Sequence, residues 1–389
     1  MDLSFSTSAA PPKSLTTRSV DFWMLGGASL VFWVLMFALD GRGRESWAVN
    51  HHFGNLAALS ASMALVCNYP HFMASYRLAY SQGGSFVLKN WFQLLFVPVA
   101  LVGALWWSYV FYLEPARGSF EWLNHALAAV GLETSIGRAP TSGRELMNLL
   151  LNLMYFTVGW HYAKQVYGCM RVYASYDNYR LTPSQWRLIK VFLFTIWGCS
   201  FVHANVGDAS RTLQKVTYYS VGLPAWCDMA MFGLFLYLLC AVAVLLWGVY
   251  QVTGQKPGVN MLIAPIAFVF WWSPPLVQVD FYLLVVPFFH SLQYLGFVYK
   301  IERNQLQDTH PKSMELRGGL IVLALCIAGF LSFELIPNTA DNLFATNESL
   351  QAWFFFASAV IFINVHHYFI DNVLWRFSNP RIRDSLLAR

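Results

Sequence analysis

Four histidines lie within long apolar stretches of the sequence and could together bind one metal ion. They are His71, His161, His290 and His366. Imidazole is a preferred ligand of divalent iron, zinc, copper and nickel. Four neutral imidazoles that face one cation would also satisfy their polar nitrogens in an apolar interior, where an ionisable residue is costly. Because a single such histidine is more often a hydrogen-bonded packing residue, the predicted metal site depends on all four meeting.

The spacing of these histidines from basic residues predicts that they share one depth. Three of them precede a basic residue by ten positions, in the pairs His161 and Arg171, His290 and Lys300, and His366 and Arg376. Ten residues of α-helix span about 15 Å, roughly halfway into the hydrocarbon core of a bilayer. His71 lies nearer to Arg77, in an apolar stretch that continues to about residue 80. We therefore expect one layer of four imidazoles.

Polar side chains at helical spacing could hold these ligands in place. The pairs, each four residues apart, are His161 and Gln165, His290 and Tyr294, and His367 and Asp371. Such neighbours fix the tautomer and the orientation of a ligating imidazole, and Tyr294 is also the candidate catalytic residue. His367 lies about 100° round the helix from His366. It is therefore predicted to pair with Asp371 and not to face the metal.

The composition is that of a membrane protein. Of 389 residues 57% are hydrophobic and only 12% are charged, with a mean hydropathy of +0.45, whereas soluble proteins carry about 25% charged residues. The 16 Trp and 19 Tyr fit aromatic belts at the two bilayer interfaces. Basic residues at helix ends account for the net charge of +5, so no nucleic-acid partner is indicated. The six cysteines form no CxxC pair and are interpreted as packing residues.

The apolar segments predict an all-α, polytopic bundle of about ten transmembrane helices. The predicted spans are residues 22–39, 56–80, 91–113, 146–174, 186–205, 229–250, 259–272, 276–299, 316–336 and 350–377. Pro274 and Pro275 are expected to form the turn between the seventh and eighth spans. Residues 1–21 are predicted to be a disordered cytoplasmic tail, residues 22–377 a single transmembrane domain, and residues 378–389 a second cytoplasmic tail. The longest loop is predicted over residues 114–145.

The distribution of basic residues predicts the orientation. If the N-terminus is inside, most Lys and Arg residues lie in cytoplasmic segments, as the positive-inside rule requires. Both termini are then cytoplasmic, and the expected location is a bacterial inner membrane. In this topology the four spans that carry the histidines all run in the same direction.

The histidine motifs resemble those of the bacterial Brp/Blh membrane proteins, which cleave β-carotene to retinal. The similar segments are Tyr69-Pro70-His71, Trp160-His161-Tyr162, Phe289-His290-Ser291 followed by Phe297-Val298-Tyr299-Lys300, and Val365-His366 followed by Asp371. The chain departs from the family pattern after the first motif, where Phe72, Met73, Ala74 and Ser75 replace Gly-Ala-Leu-Asp, and at Tyr294, where the family has a second histidine. Members of the family are iron-dependent dioxygenases. The resemblance implies non-haem Fe(II) bound by His71, His161, His290 and His366.

These observations lead to the hypothesis of a non-haem iron oxygenase. Its substrate would be a lipophilic molecule that enters from the bilayer and reacts with molecular oxygen, and membrane lipids would surround the protein. Oxidative cleavage of a carotenoid or another polyene is the reaction that the resemblance implies. Aromatic residues that could line the substrate channel are Trp91, Phe92, Trp160, Tyr162, Trp271, Trp272, Tyr294 and Tyr368.

Two other classes of membrane protein also use buried histidines. A di-iron hydroxylase or desaturase needs HxxxH and HxxHH clusters, and neither pattern occurs in the sequence. A transporter or proton-relay protein could use the same histidines together with Asp280, Glu334 and Asp371. The sequence shows no inverted repeat to support a transporter. Metal content separates this alternative from an oxygenase.

Overall fold

The computed structural model describes most of the chain. It covers residues 14–40, 59–60, 62–113, 120–132, 134–207, 210–213, 216–273, 280–344, 353–376 and 378–387. The first thirteen residues and the turn prolines Pro274 and Pro275 lie outside the described residues. So does the side chain of Asp280.

The described residues form helices and one short hairpin. The helices are α1 (Arg18–Phe22), α2 (Ala28–Asp40), α3 (Tyr69–Tyr80), α4 (Gly84–Lys89), α5 (Val97–Val110), α6 (Glu121–Ala129), α7 (Ser142–Tyr176), α8 (Pro183–Ala204), α9 (Ala225–Thr253), α10 (Val259–Trp272), α11 (Asp280–Thr309), α12 (Met314–Phe330), α13 (Ile336–Phe344), α14 (Phe354–Leu374) and α15 (Pro380–Leu387). The hairpin pairs β1 (Arg211–Leu213) with β2 (Val216–Tyr218) in antiparallel register. The all-α prediction is confirmed for the bundle.

Helices occur at each position where the sequence predicts a span. In the described part of the chain, six are long and apolar enough to cross a membrane: Arg18–Met36, Phe92–Val110, Pro183–Ala204, Ala225–Thr253, Pro311–Phe344 and Phe354–Leu374. A seventh, Val259–Trp272, is apolar but shorter. A helix of about 20 apolar residues is the element that satisfies every backbone polar group in lipid. The chain is therefore an integral membrane protein.

In the described part of the chain, π-helical hydrogen bonding occurs at Trp23–Gly27, Ala64–Asn68, Phe92–Phe96 and Leu331–Leu335. The first of these turns is also a kink, because the backbone of Gly26 is not helical. A π turn inserts a residue and shifts the backbone hydrogen bonds of the helix that contains it. The second turn ends at Asn68 directly before α3, and the Asn68 carbonyl accepts a hydrogen bond from the His71 ring.

Helix α14 is central to the position of the histidines. It packs against both α3 and α7, while α11 packs against α3 and the π turn that precedes it. Helix α10 covers the opposite side of α7 and contributes the buried residues Phe268 and Trp271 to the main core. The four histidine-bearing helices, α3, α7, α11 and α14, therefore meet inside the bundle.

Both predicted tails contain folded residues where the structure describes them. At the N-terminal end, Leu15 is buried and its N–H donates to the Asp21 carboxylate at 2.9 Å, so residues 14–21 are folded onto the bundle. At the C-terminal end, α15 buries Ile382 and Leu386 on one face. The Tyr176 hydroxyl of α7 donates to the Leu386 carbonyl at 3.0 Å. Apolar side chains four residues apart explain why this segment forms a docked helix and not a free tail.

The longest predicted loop is also more structured than expected. It contains α6, and its end is fixed by the buried carboxylate of Glu145 at the start of α7. This carboxylate accepts hydrogen bonds from the backbone N–H groups of Gly137 (2.7 Å) and Ala139 (3.0 Å) and from the Tyr219 hydroxyl (2.8 Å). Burial raises the pKa of the Tyr219 phenol, which keeps this donor protonated. One carboxylate thus joins the loop, α7 and the segment after the hairpin.

Candidate metal centre

Four buried histidines converge at the junction of α3, α7, α11 and α14. They are His71, His161, His290 and His367, and one ring nitrogen of each lies within 4.8 Å of those of the other three. The Nε2 atoms of His71 and His367 are 3.1 Å apart, and those of His161 and His290 are also 3.1 Å apart. Each of the four residues is at most 3% exposed.

These distances suit one metal ion between the rings. Two nitrogen ligands at about 2.1 Å from a metal are about 3.0 Å apart at a right angle and about 4.2 Å apart on opposite sides. The two close Nε2 pairs correspond to the first arrangement. The donor set is therefore compatible in type and spacing with a transition metal that prefers imidazole.

The tautomer of His71 follows from its hydrogen-bond partners. Its Nδ1 lies 2.9 Å from the carbonyl oxygen of Asn68, which can only accept, so Nδ1 carries the hydrogen. The Ser291 hydroxyl oxygen lies 3.0 Å from the same nitrogen, and this hydroxyl is within donating distance of the Pro287 carbonyl at 2.7 Å. The neutral ring of His71 consequently presents an Nε2 lone pair to the cluster.

His367 is held in the same tautomer. Its Nδ1 lies 2.8 Å from Ser75 Oγ, and the Ser75 hydroxyl donates to the Phe72 carbonyl at 2.7 Å. With its hydrogen directed to that carbonyl, the Ser75 oxygen accepts the Nδ1–H of His367. The Nε2 of His367 then carries a lone pair, as a metal ligand requires.

Two lone pairs thus face each other across 3.1 Å between His71 and His367. Two acceptors at this separation repel unless a positive charge lies between them. In metal sites, a ligating histidine typically donates a hydrogen bond from one ring nitrogen and binds the metal with the other. This is the geometric feature that most favours a cation site.

The other two imidazoles are positioned mainly by ring stacking. The Tyr162 ring lies 3.8 Å from that of His290 at an angle of 16°, and the Tyr368 ring lies 4.7 Å from that of His161 at 27°. Both tyrosines are buried. Stacked rings restrict the rotation of each imidazole, so its Nε2 stays directed at the cluster.

A buried carboxylate completes the site. Asp371 Oδ2 lies 3.5 Å from the Nε2 of His367 and 3.7 Å from that of His161, and it has no hydrogen-bond partner among the described residues. The other oxygen, Oδ1, accepts a hydrogen bond of 3.0 Å from the Tyr294 hydroxyl. An acceptor left without a donor in the interior is costly. A cation beside Oδ2 would remove that cost.

Two positions differ from the sequence prediction. The fourth imidazole of the cluster is that of His367, and His366 is directed away from it, with its Nδ1 2.9 Å from the Tyr76 hydroxyl. Whether His366 or His367 faces the cluster depends on the rotation of α14 about its axis. Depth in the membrane does not indicate this rotation. Gln165 is predicted to hold an imidazole nitrogen, but its amide instead donates to the His290 backbone carbonyl at 3.0 Å.

Several residues of the site were missed in the sequence. Asn68, Ser75 and Ser291 contact the far ring nitrogens of the ligands. Their place on the helices gave a signal, because Ser75 lies four residues after His71 and Ser291 directly follows His290. Of the predicted aromatic wall, Trp160, Tyr294 and Tyr368 line a cavity at the site. Trp91 and Phe92 are largely exposed on the bundle surface.

Comparison of the chain with known protein families, with curated proteins and with solved structures gives no match.

Proposed function

We propose that this protein is a membrane-embedded, metal-dependent oxygenase that acts on a lipophilic substrate. The observation that carries the proposal is the opposed pair of Nε2 atoms of His71 and His367, which belongs to a buried cluster of four imidazoles. A cluster of this kind inside a membrane bundle is expensive unless it binds a cation or a substrate. In this proposal, a molecule from the bilayer reaches the cluster through the cavity that His161 and Asp371 line.

We propose iron(II) as the metal. Imidazole ligands suit iron but also zinc, copper and nickel, so the choice of iron depends on the resemblance of the four histidine motifs to those of the Brp/Blh proteins. Iron bound at this site would supply the binding and activation of molecular oxygen. Addition of both atoms of one O₂ across a carbon–carbon double bond yields two carbonyl groups and needs no external reductant. Oxidative cleavage of a carotenoid or another polyene is the reaction proposed from the same resemblance.

The residues of the chain have distinct parts in this proposal. The four imidazoles hold the metal, and the Asp371 carboxylate supplies one negative charge beside it. The Tyr294 hydroxyl orients this carboxylate through its 3.0 Å hydrogen bond. Buried aromatic rings, among them Tyr162 and Tyr368, exclude water from the centre.

The proposed topology has ten spans, with both termini in the cytoplasm of a bacterium and the chain in its inner membrane. The distribution of basic residues supports this orientation. The shared direction of the four histidine-bearing spans in this topology agrees with the convergence of their side chains.

The metal content of the purified protein tests the function. After anaerobic incubation with iron(II) and removal of excess metal, we expect about one iron per chain by mass spectrometry. His161→Ala and His290→Ala should each lose most of this iron while the protein remains inserted and monodisperse.

With iron-loaded protein and β-carotene or a shorter polyene, the amount of oxygen consumed should match the amount of carbonyl products formed. Full retention of metal in both variants would rule out the four-histidine site, and a wild type that binds no metal would favour a proton relay.

A further inference from the structure

A cavity connects the surface of the bundle with the candidate metal centre. Its enclosed volume is about 90 Å³, within about 770 Å³ of space between atoms that includes the solvent outside its open mouth. Its lining includes His161, Tyr368 and Asp371 beside the candidate metal centre and Ile382 and Leu386 of α15. The exposed wall is mostly apolar, as a cavity for a hydrocarbon chain requires.

One lysine on the wall of this cavity has no acidic partner in direct contact. Lys164 follows His161 by three residues on α7 and is half-buried. Its ammonium donates to the Asn372 side-chain oxygen and lies 4.5 Å from the centre of the Trp160 ring. Within the part of the chain that the structure describes, no carboxylate lies within 4.0 Å of it, and the Asp371 carboxylate on the same cavity attracts it only over a longer distance. A cation held in a membrane bundle usually has an anionic partner, because its desolvation is costly.

Arg376 provides a second positive charge near Lys164. Arg376 lies two residues beyond the end of α14, lines the same cavity, and donates from Nε to the Asn372 carbonyl at 2.8 Å. It is exposed, and no ion pair involves it among the described residues. The third basic residue at the cavity, Arg383, is paired with Asp384. Lys164 and Arg376 are thus two cations at one opening that form no ion pair with a described carboxylate.

The positive-inside rule does not explain Lys164. A lysine that serves only topology lies at the end of a span, where its ammonium reaches the interface. Lys164 precedes Arg171, the basic residue at the predicted cytoplasmic end of this span, by seven residues, which corresponds to about 10 Å of helix. Its depth is close to that of His161, one turn away. The position of Lys164 therefore indicates a role in the cavity and not at the membrane surface.

We propose that the cavity binds an amphipathic molecule with a long apolar chain and an anionic head group, and that Lys164 and Arg376 bind this head group. The inference rests on the proposed function in so far as this molecule is the substrate of the metal centre. It deepens that function, because an anionic end excludes a pure hydrocarbon such as β-carotene as the best ligand. A carboxylate and a phosphate share the chemistry that two unpaired cations recognise.

Binding of a fluorescent polyene fatty acid tests the head-group preference. The probes are cis-parinaric acid and its methyl ester, titrated into metal-free protein in nanodiscs of zwitterionic lipid, with empty nanodiscs as the reference. We expect the acid to bind about tenfold more tightly than the ester, as a charge-assisted hydrogen bond provides. Because no metal is present, coordination of the carboxylate by iron cannot produce this preference. Equal affinities for acid and ester, or no binding of either, would overturn the inference.

Two pairs of variants locate the binding site. Lys164→Met should abolish the preference for the acid, while Lys312→Met, which removes an exposed lysine beyond the end of α11, should keep it. Gly168→Phe should block both probes, because Gly168 lines the cavity and a side chain there meets no other atom within 4 Å of its Cβ. Gly248→Phe, at an equally open position on the exposed side of α9, should leave binding unchanged. Full binding by the Gly168 variant would show that the cavity is not the site.

Competition distinguishes the source of the anionic group. Oleic acid and oleoyl lysophosphatidic acid should both displace cis-parinaric acid, and the stronger competitor identifies a free fatty acid or a phospholipid as the natural class. Oleyl alcohol should compete about tenfold less well. If oleyl alcohol competes as well as the two anions, the inference is wrong. Loss of the metal site, tested by iron content, would leave these binding results unaffected, so the two proposals fail separately.

Discussion

The Nε2 atoms of His71 and His367 lie 3.1 Å apart although the two residues are separated by 296 positions in the chain. Each ring has its other nitrogen bound to an oxygen acceptor, Asn68 O in one case and Ser75 Oγ in the other. The fold thus brings two helices together so that two basic nitrogens face one small volume. Packing alone does not favour this arrangement, whereas binding of a cation does.

The two adjacent histidines of α14 provide a matched pair of variants. His367→Ala should lose most of the bound iron, because it removes one of four ligands. His366→Ala should keep about one iron per chain, because the His366 ring contacts Tyr76 outside the cluster. Mass spectrometry of the metal in both purified proteins measures the difference. The reverse pattern, with iron lost only in the His366 variant, would contradict this arrangement of the two rings.

Much of the fold could be predicted from hydropathy, since lipid imposes a helix on every long apolar segment. The two folded ends could not be predicted from that signal alone. The segment after α14 is too polar and too short to resemble a span, although Ile382 and Leu386 form an apolar face one turn apart. Docking of this face against α7 depends on tertiary packing, which no local pattern reports.

The structure brings three of the four predicted imidazoles together, and the rotation of α14 places His367 with them in place of His366. Three of the site's four imidazoles were identified because residues at one depth in co-oriented helices can meet. The choice between His366 and His367 required the direction of each side chain round α14, about 100° apart. The spacing of four between His367 and Asp371 gave the missing signal, since both side chains must lie on the same face. Depth alone favours His366, because it precedes Arg376 by ten residues.

Gly143 of α7 lies in close contact with the end of α5, so Gly143→Ala is a test of the fold. A Cβ at Gly143 would lie 2.3 Å from the Ser108 carbonyl oxygen and 2.5 Å from the Tyr112 nitrogen, both of them backbone atoms that cannot turn aside. We expect a loss of about 1–3 kcal/mol in the free energy of unfolding from this overpacking. Gly103→Ala, where the added Cβ meets nothing within 4 Å, should not destabilise the protein. Thermal unfolding in detergent compares the two, and equal melting temperatures would argue against the close contact between α5 and α7.

The Ser75 hydroxyl should control metal affinity without contacting the metal. Ser75→Ala leaves the buried Nδ1–H of His367 without its acceptor, which lowers the basicity of the ligand and loosens its orientation. Loss of such a partner typically costs about 10–100-fold in metal affinity. A titration with cobalt(II), followed by its visible absorption, gives the affinity and reports the coordination geometry. Ser81→Ala, which removes an exposed hydroxyl at the end of the same helix, should bind cobalt like the wild type. Unchanged affinity in the Ser75 variant would show that the hydroxyl has no part in the site.

Variants of Asp371 and Tyr294 should distinguish the effect of the carboxylate charge from the effect of the carboxylate orientation. Asp371→Asn keeps the shape of the side chain but removes the negative charge that lies 3.5 Å and 3.7 Å from two ligand nitrogens. The affinity for a divalent ion should therefore fall by about a hundredfold. Tyr294→Phe removes only the 3.0 Å hydrogen bond to Oδ1 and leaves the charge in place, so its affinity should change by less than about tenfold. If the Tyr294 hydroxyl acts by orienting Asp371 during the reaction, the same variant should retain iron and consume oxygen more slowly with substrate. Equal losses of metal in both variants would mean that the hydrogen bond, and not the carboxylate charge, holds the centre together.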